Sequence, residues 1–444
     1  MTIDVLSDNV LVEIFFHVQH RWRALVHVCR RWRYLVFASP RRLNLRLQYR
    51  GCRPVSKVLE TWPVLPVVLV SWSDYDSKPW DNVVAVLGSE YQPRISEIYI
   101  ENMTASSWET FAKAMQKPFP ALTHLTLSVS SVYHNVISNL PDSSLGGSAP
   151  LLRKVSLRGI PIPSIPEVLL SANGLVTLAL NDIPNSGYFS PDAMATALTV
   201  MTRLESLQLT FCSPRSHRNP ASRPLPPLTR FVLPALTKLT FEGGYDYLED
   251  LLSQIDSPLI YVFQATFFMD LNFDVPQLSR LIGHAEELKA FDRAHLMIDD
   301  LIWLGLYQTP GVDQRGRLNL RISDTEVYWK LSSLVQVCSS LSVLSTVEAL
   351  EIVGYQENNL VNARWLRFLD RFTALKRLNL TGDNAQHICG VLGALSGERA
   401  TEVLPALRNL FVRGFESLQP VEDTMKSFLA ARKLSGNPVV IDHW

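Results

Sequence analysis

Three imidazoles, those of His17, His20 and His27, stand close together near the start of the chain, where they could serve as zinc donors. Zinc sites of that kind are completed by cysteine or carboxylate ligands at fixed spacing. No such framework accompanies them, so no metal is assigned. Other catalytic signatures are missing: there is no GxSxG elbow, no GxGxxG after a strand, no phosphate-binding P-loop and no HExxH pair. The carboxylates are scattered, with no pair placed to face across a cleft. Five cysteines (Cys29, Cys52, Cys212, Cys338 and Cys389) are odd in number and lack CxxC spacing, which reads as reduced thiols of an intracellular protein, cytoplasmic or nuclear. No catalytic residue and no cofactor is assigned, and enzyme activity is not expected.

One feature with chemical potential remains, and it is electrostatic. The chain is neutral overall, with 42 basic and 42 acidic residues, yet no Asp or Glu lies between Glu13 and Glu60. Arginine recurs there at positions 21, 23, 30, 31, 33, 41, 42, 46, 50 and 53. Three uses fit such a run: a solvated outer face, attraction to an acidic protein partner, or contact with nucleic acid. The segment carries no helix-turn-helix, zinc or RNP signature, so nucleic acid is the least favoured of the three.

The elements that position these arginines follow from hydrophobic spacing. Val5 to Val18 places Val10, Leu11, Ile14, Phe15 and Val18 on one helical face, with Ser7 as a candidate cap. A second helix is predicted from about Arg23 to Ala38, with Leu25, Val28, Cys29, Trp32, Leu35 and Val36 on its apolar side. Ser39-Pro40 ends it, because a residue before proline avoids the helical region. Leu43, Leu45 and Leu47 then alternate with polar residues as a strand does. The change of period predicts a domain boundary near Pro40. No signal peptide is legible, and the apolar run WPVLPVVLVSW from Trp62 is too short to span a bilayer.

Beyond residue 90 a pattern of apolar-x-x-apolar-x-apolar returns, as ISEIYI from Ile95, LTHLTL from Leu122, LRKVSL from Leu152, LVTLAL from Leu175, LESLQL from Leu204 and LTKLTF from Leu236. It recurs as VEALEI from Val347, LKRLNL from Leu375 and LRNLFV from Leu407. Over the first six the starts are 27, 30, 23, 29 and 32 residues apart. Period and pattern are those of leucine-rich repeats. Between them, amphipathic segments such as Trp108, Phe111, Ala112 and Met115, or Met194, Ala197, Leu198 and Met201, supply return helices. The expected fold is α/β: a short helical segment over residues 1–40, then over 41–444 a curved parallel sheet with helices on its outer face. Residues 257–323 are expected to continue the array with degenerate repeats. Loop insertions are expected near 138–150 and 212–230, and the scarcity of the usual Asn after each strand predicts fewer hydrogen bonds between neighbouring turns.

The strings LSDNVLVEIF and LVHVCRRWRYLVFASPRRLNL resemble the F-box, in particular that of fungal proteins carrying leucine-rich repeats behind it. The Val-Cys-Arg-Arg-Trp string is the most specific part, and the connection from Val18 to Leu25 is shorter than the family's. This resemblance implies that Leu6, Leu11, Ile14, Phe15, Leu25, Val28 and Trp32 bind a Skp-type adaptor and, through it, a cullin-type (SCF) ubiquitin ligase. The repeats would then hold a protein substrate, and the chain would serve as its recognition subunit. The alternative is a repeat scaffold that binds protein without recruiting a ligase. Side chains between the buried strand positions face the concave surface. Lys154, Arg158, Gln208, Lys238, Arg377, Asn379, Phe411 and Arg413 are the candidate substrate contacts, and Lys154, Arg158, Arg377 and Arg413 among them lean the surface towards acidic partners. No membrane partner is expected.

Overall fold

The computed structural model describes the chain except for residues 1–4, 19–20, 41–42, 61, 63–64, 72–76, 131–136, 163, 214–229, 269–273, 300, 309–316, 324–326, 355–361, 382, 414–418 and 444. Two compact units share it, Met1–Leu175 and Val176–Trp444.

In the first unit three helices come first: α1 (Asp8–His17), α2 (Trp22–Leu25) and α3 (Arg30–Ala38). The single helix expected from Arg23 to Ala38 is therefore two. The break falls at Cys29, whose extended backbone and sulfur cap α3 by accepting the amide of Trp32 at 3.4 Å. Ser7 does stand at the N-cap position of α1, but its side chain makes no capping bond. Next follow β1 (Leu47–Tyr49), α4 (Val55–Leu59), β2 (Val67–Ser71), α5 (Ser77–Gly88), β3 (Ile95–Met103), α6 (Ala105–Ala114), β4 (His124–Val129), β5 (Lys154–Arg158) and α7 (Glu167–Leu170). The strands β1 to β5 pair in parallel and in chain order, with Leu125 of β4 opposite Ile98 and Val155. Their alternation of buried and half-exposed residues puts one face against the return helices and leaves the other open.

β2 breaks that alternation. Val67, Val68, Leu69 and Val70 are all buried, as befits a strand covered on both faces. On the open side the N-terminal helices approach β2, with Trp22 and Ala24 lining one cleft with Val68 and Val70. Trp22 of α2 packs edge-on against Trp62 and Phe37, and its indole N–H donates to the carbonyl of Arg46 at 3.0 Å. The boundary anticipated near Pro40 is thus bridged by contacts, and helices and first strands share one core.

The expected insertion at 138–150 is a packed element. Leu145 is fully buried, and its amide donates to Met115 at 2.7 Å. Gly146, at φ +65°, lies so close to Pro118 that a Cβ would fall 2.9 Å from it. Residues 214–229 of the second expected insertion lie outside the described residues.

The second unit runs β6 (Thr177–Ile183), α8 (Pro191–Leu198), β7 (Ser206–Phe211), β8 (Phe231–Val232), β9 (Lys238–Gly243), α9 (Tyr245–Gln254), β10 (Ile255–Asp256), β11 (Val262–Phe268), α10 (Pro276–His284), β12 (Arg293–Ile298), β13 (Leu301–Tyr307), β14 (Leu318–Ser323), α11 (Val327–Ser339), β15 (Ala349–Gly354), α12 (Asn362–Leu369), β16 (Arg377–Thr381), α13 (Asp383–Gly393), α14 (Arg399–Glu402), β17 (Asn409–Arg413), α15 (Gln419–Leu434) and β18 (Val440–His443). The predicted return-helix residues Met194, Ala197, Leu198 and Met201 are all buried, as are Leu248, Leu251 and Leu252 of α9.

Residues 257–323 depart from the expectation of degenerate repeats. After β11 the chain crosses through α10 to β12 and leaves a two-strand gap, which β13 and β14 then fill in reverse. Their order is β11-β14-β13-β12-β15, with β13 antiparallel to both neighbours. The sheet is thus parallel-dominated with one reversed strand.

Among the described residues, hydroxyls supply hydrogen bonds between neighbouring turns. Ser96 donates to Val67 at 3.2 Å, Thr123 to Ser96 at 2.8 Å and Thr237 to Glu205 at 3.0 Å. Each occupies the second position of its repeat string. The thiols divide by surroundings: burial pushes Cys389 up to about 12 and raises Cys338 further, while burial beside Asp182 and Glu242 lifts Cys212 to about 11. Thiolate is the reactive form. Iodoacetamide near neutral pH should therefore modify exposed Cys29 and Cys52 first, with Cys212 slow despite its exposure. Peptide mass spectrometry of the native chain reads this directly, and fast labelling of Cys212 would contradict it.

Candidate functional site

Two surfaces collect the sequence-derived candidates. The first is the outer side of the helical hook, α1 to α3. The hook closes on itself around Leu11, Val12, Phe15, Leu35 and Val36, all buried, with Phe15 tilted on Trp32 at 4.8 Å between ring centroids. Arg31 ties the two longer helices by reaching Asp8 at 2.7 Å and the carbonyl of Leu6 at 2.6 Å. This corrects the adaptor assignment for Leu11 and Phe15. Both are fully buried within this chain, so they build the hook and cannot be free anchors on it. Trp32, Leu6 and Leu25 are only partly exposed. Ile14 (39% exposed) and Val28 (58%) do face outward, joined by Val10, one turn before Ile14, and by Phe16 and Tyr34, which the residue spacing did not single out. Arg30, Arg33, Tyr34 and Phe37 line a shallow groove on α3.

The arginine run is largely structural. Besides Arg31, the guanidinium of Arg33 donates to the carbonyl of Val26 at 2.9 Å, Arg23 to that of Gln48 at 3.1 Å, and Arg46 pairs with Glu97. Arg23 and Arg33 are satisfied by backbone carbonyls, and Arg31 by a carbonyl as well as by Asp8, uses that composition does not reveal. Arg41, Arg42 and His20 lie outside the described residues.

The second surface is the open face of the sheets. In the first unit the register rows run Glu97–His124–Lys154 and Ser128–Arg158. In the second unit Gln208 stands beside Thr240, Ser206 beside Lys238, Arg377 beside Asn409, Asn379 beside Phe411 and Thr381 beside Arg413. Lys154, Arg158, Arg377 and Arg413 are exposed, whereas Gln208, Lys238, Asn379 and Phe411 are half-buried. The eight candidates therefore do not form one cluster; Asn379, Phe411, Arg377 and Arg413 come together on β16 and β17. The reversed strand adds a tryptophan to this face: Trp303 meets His295 edge-on at 5.1 Å and donates to Asn319 at 3.2 Å.

Where hook and sheet meet lies a cleft of about 790 Å³. Val68, Val70 and Tyr99 form its floor and wall, and Arg21, Arg23 and Arg46 supply its charge. Glu97, 6% exposed, is the carboxylate of this lining and is held by Arg46. Beside it His124 is pushed below the ordinary histidine value, by burial first and then by the cations of Arg46, Lys154 and Arg153. Its Nδ1 also stands 3.6 Å from Glu97, which would favour protonation. Because that carboxylate is already paired, burial and the three cations prevail. A histidine depressed in the folded state contributes stability above its ordinary pKa of about 6.5 that is lost as pH falls below it. The urea midpoint should therefore drop on acidification from about pH 7.5 to about 5.5, and drop less in His124→Gln; equal drops would contradict the assignment.

No family model matches the chain, and no curated protein matches it. Among solved structures it is similar to the leucine-rich repeat-containing protein LegL7 from Legionella pneumophila, at 12% identity over 80% of this chain and 95% of that one, with a TM-score of 0.25. It is also similar to a leucine-rich-repeat protein from Leptospira interrogans, at 11% identity over 89% of this chain and 99% of the other, with a TM-score of 0.27. The strand–helix repeat and its parallel register, read from this chain's own backbone, identify the fold. It is a leucine-rich-repeat fold. Among the described residues no helix is long and apolar enough to cross a membrane.

Proposed function

We propose that this chain is the substrate-holding subunit of a cullin-type ubiquitin ligase, docking through its helical hook on a Skp-type adaptor and holding a protein on the open faces of its repeats. The observation that carries this reading is the apolar surface left on the hook after its core is closed: Val10, Ile14 and Val28 stay exposed although Leu11, Phe15 and Trp32 were available to bury them. Val10 and Ile14 stand one turn apart on α1, and neighbouring exposed aliphatic residues of this kind suit a protein contact. The Val-Cys-Arg-Arg-Trp string gives that contact its suggested partner.

The mechanism needs no catalytic residue of the chain itself. A substrate held beside a charged ubiquitin carrier experiences a raised effective concentration, and the chemistry belongs to the other subunits. Such a protein works in the cytoplasm or nucleus. A second reading, a protein-binding scaffold that recruits no ligase, is favoured by the loss of Leu11 and Phe15 to the hook's own interior. Affinity capture of the full chain from cells, followed by mass spectrometry, separates the two. Skp-type adaptor and cullin peptides recovered together support the ligase reading. Their absence alongside other specific partners supports the scaffold.

A further inference from the structure

We propose that the cleft between the hook and the open face of the first sheet is a recognition pocket for an acidic segment of a protein partner, with an apolar side chain seated on Val68, Val70 and Tyr99 and its carboxylates on Arg21 and Arg23. This deepens the reading of the repeats as a protein platform and rests on it.

Three observations lead there. The first is composition. Open-face strand positions elsewhere carry polar residues such as Thr126, Ser156 and Thr240, but β2 places Val68 and Val70 at the corresponding rows, opposite Glu97 and Tyr99 of β3. That gives the cleft an apolar floor where a partner side chain can be desolvated. The second is charge. Three guanidiniums face one carboxylate in the lining, and Glu97 neutralises Arg46, so Arg21 and Arg23 are the cations left to meet an anion. Arg23 is held in place by its bond to Gln48 and by lying 5.7 Å over the Trp22 ring, which preorganises it. The third is continuity. The cleft's inner wall, Glu97 and Tyr99, leads along the register rows to His124 and Lys154, and through Thr126 to Ser156. An extended chain entering the cleft can continue across the sheet, as a small anion cannot. His124 on that path is depressed by burial first, and the cations of Arg46, Lys154 and Arg153 lower it further.

The test uses the full chain and a fluorescein-labelled peptide alternating glutamate with leucine and phenylalanine, followed by anisotropy at about 0.1 M and about 0.5 M salt. Wild type should bind, more weakly at the higher salt. Arg21→Glu with Arg23→Glu should weaken binding about tenfold or more. Because Arg23 also braces the hook, Gln48→Trp is the second variant: it fills the mouth of the cleft, keeps the charge, and retains the backbone carbonyl that Arg23 uses. It should weaken binding comparably with an unchanged thermal unfolding curve, whereas Arg413→Glu in the second unit should have no effect. Charge reversal that acts while Gln48→Trp does not would overturn the pocket in favour of a general basic surface. An RNA oligomer that competes as well as the peptide would overturn the partner class. Ile14→Asp with Val28→Asp, aimed at adaptor docking, should leave the peptide bound. A chain that captures the adaptor and binds no peptide would overturn the pocket alone.

Discussion

Trp108→Ala is expected to destabilise the first unit by about 3–5 kcal/mol, the range for deleting a fully buried aromatic side chain. Trp108 has no exposed surface, and Phe111 on the same helix and Met115 just beyond its end are also buried. Its indole N–H donates to the carbonyl of Ser138 at 2.9 Å, so the residue joins a return helix to the packed insertion at 138–150. Alanine would leave a cavity and an unpaired carbonyl together. Trp108→Phe separates these terms: it keeps most of the buried ring and loses the hydrogen bond, costing about 1–2 kcal/mol. Urea denaturation followed by circular dichroism measures both. Equal stability of wild type and Trp108→Ala would mean that the insertion does not close over α6.

Glu249→Ala is the second large effect, at about 3 kcal/mol. Helix α10 begins at Pro276 after Val275, which offers no capping side chain. The carboxylate of Glu249, 2% exposed on α9, takes over, accepting the amides of Gln277 at 2.8 Å and Leu278 at 2.9 Å. Negative charge at a helix N-terminus is favoured by the helix dipole as well as by these two bonds. Nearby Arg280, whose guanidinium donates to Leu252 and Ile255, would lose a counter-charge. Alanine strands two amides, whereas Glu249→Gln keeps an acceptor and should cost about half as much. The midpoint shift in urea orders the three proteins, and an alanine variant no worse than glutamine would refute the cap.

These two residues also show what a linear reading can reach. Trp108 was placed on the buried face by its spacing to Phe111, Ala112 and Met115, because helical period and return-helix position agree. Glu249 carries no such signal; its role depends on a helix 28 residues further on lacking its own cap. The same division holds across the fold. Repeat strings such as LTHLTL give strands and register, since every second side chain must be buried. LIWLGLY does not announce the reversed strand β13, because its alternation is no different in an antiparallel setting. The VVLV run in β2 was legible as apolar, and its continuity, rather than its length, was the mark of a strand covered on both faces.

At the candidate site the limit was different. Leu11 and Phe15 satisfy the F-box pattern as well as Ile14 does, and the pattern does not say which apolar residues the hook keeps for itself. That choice is made by α2 and by the break at Cys29, which turns α3 so that Trp32 meets Phe15. The arginines likewise read as a surface until their backbone partners are seen.

The central claim is that the hook, once closed, presents an apolar surface to another protein. Titrating a purified Skp-type adaptor into the full chain and into Ile14→Asp with Val28→Asp tests it most directly, since both side chains already face solvent and their replacement should leave the fold intact. Saturable binding to the wild type, weakened about a hundredfold in the variant with an unchanged unfolding curve, is the predicted result. Equal affinity of the two proteins for the adaptor would contradict it.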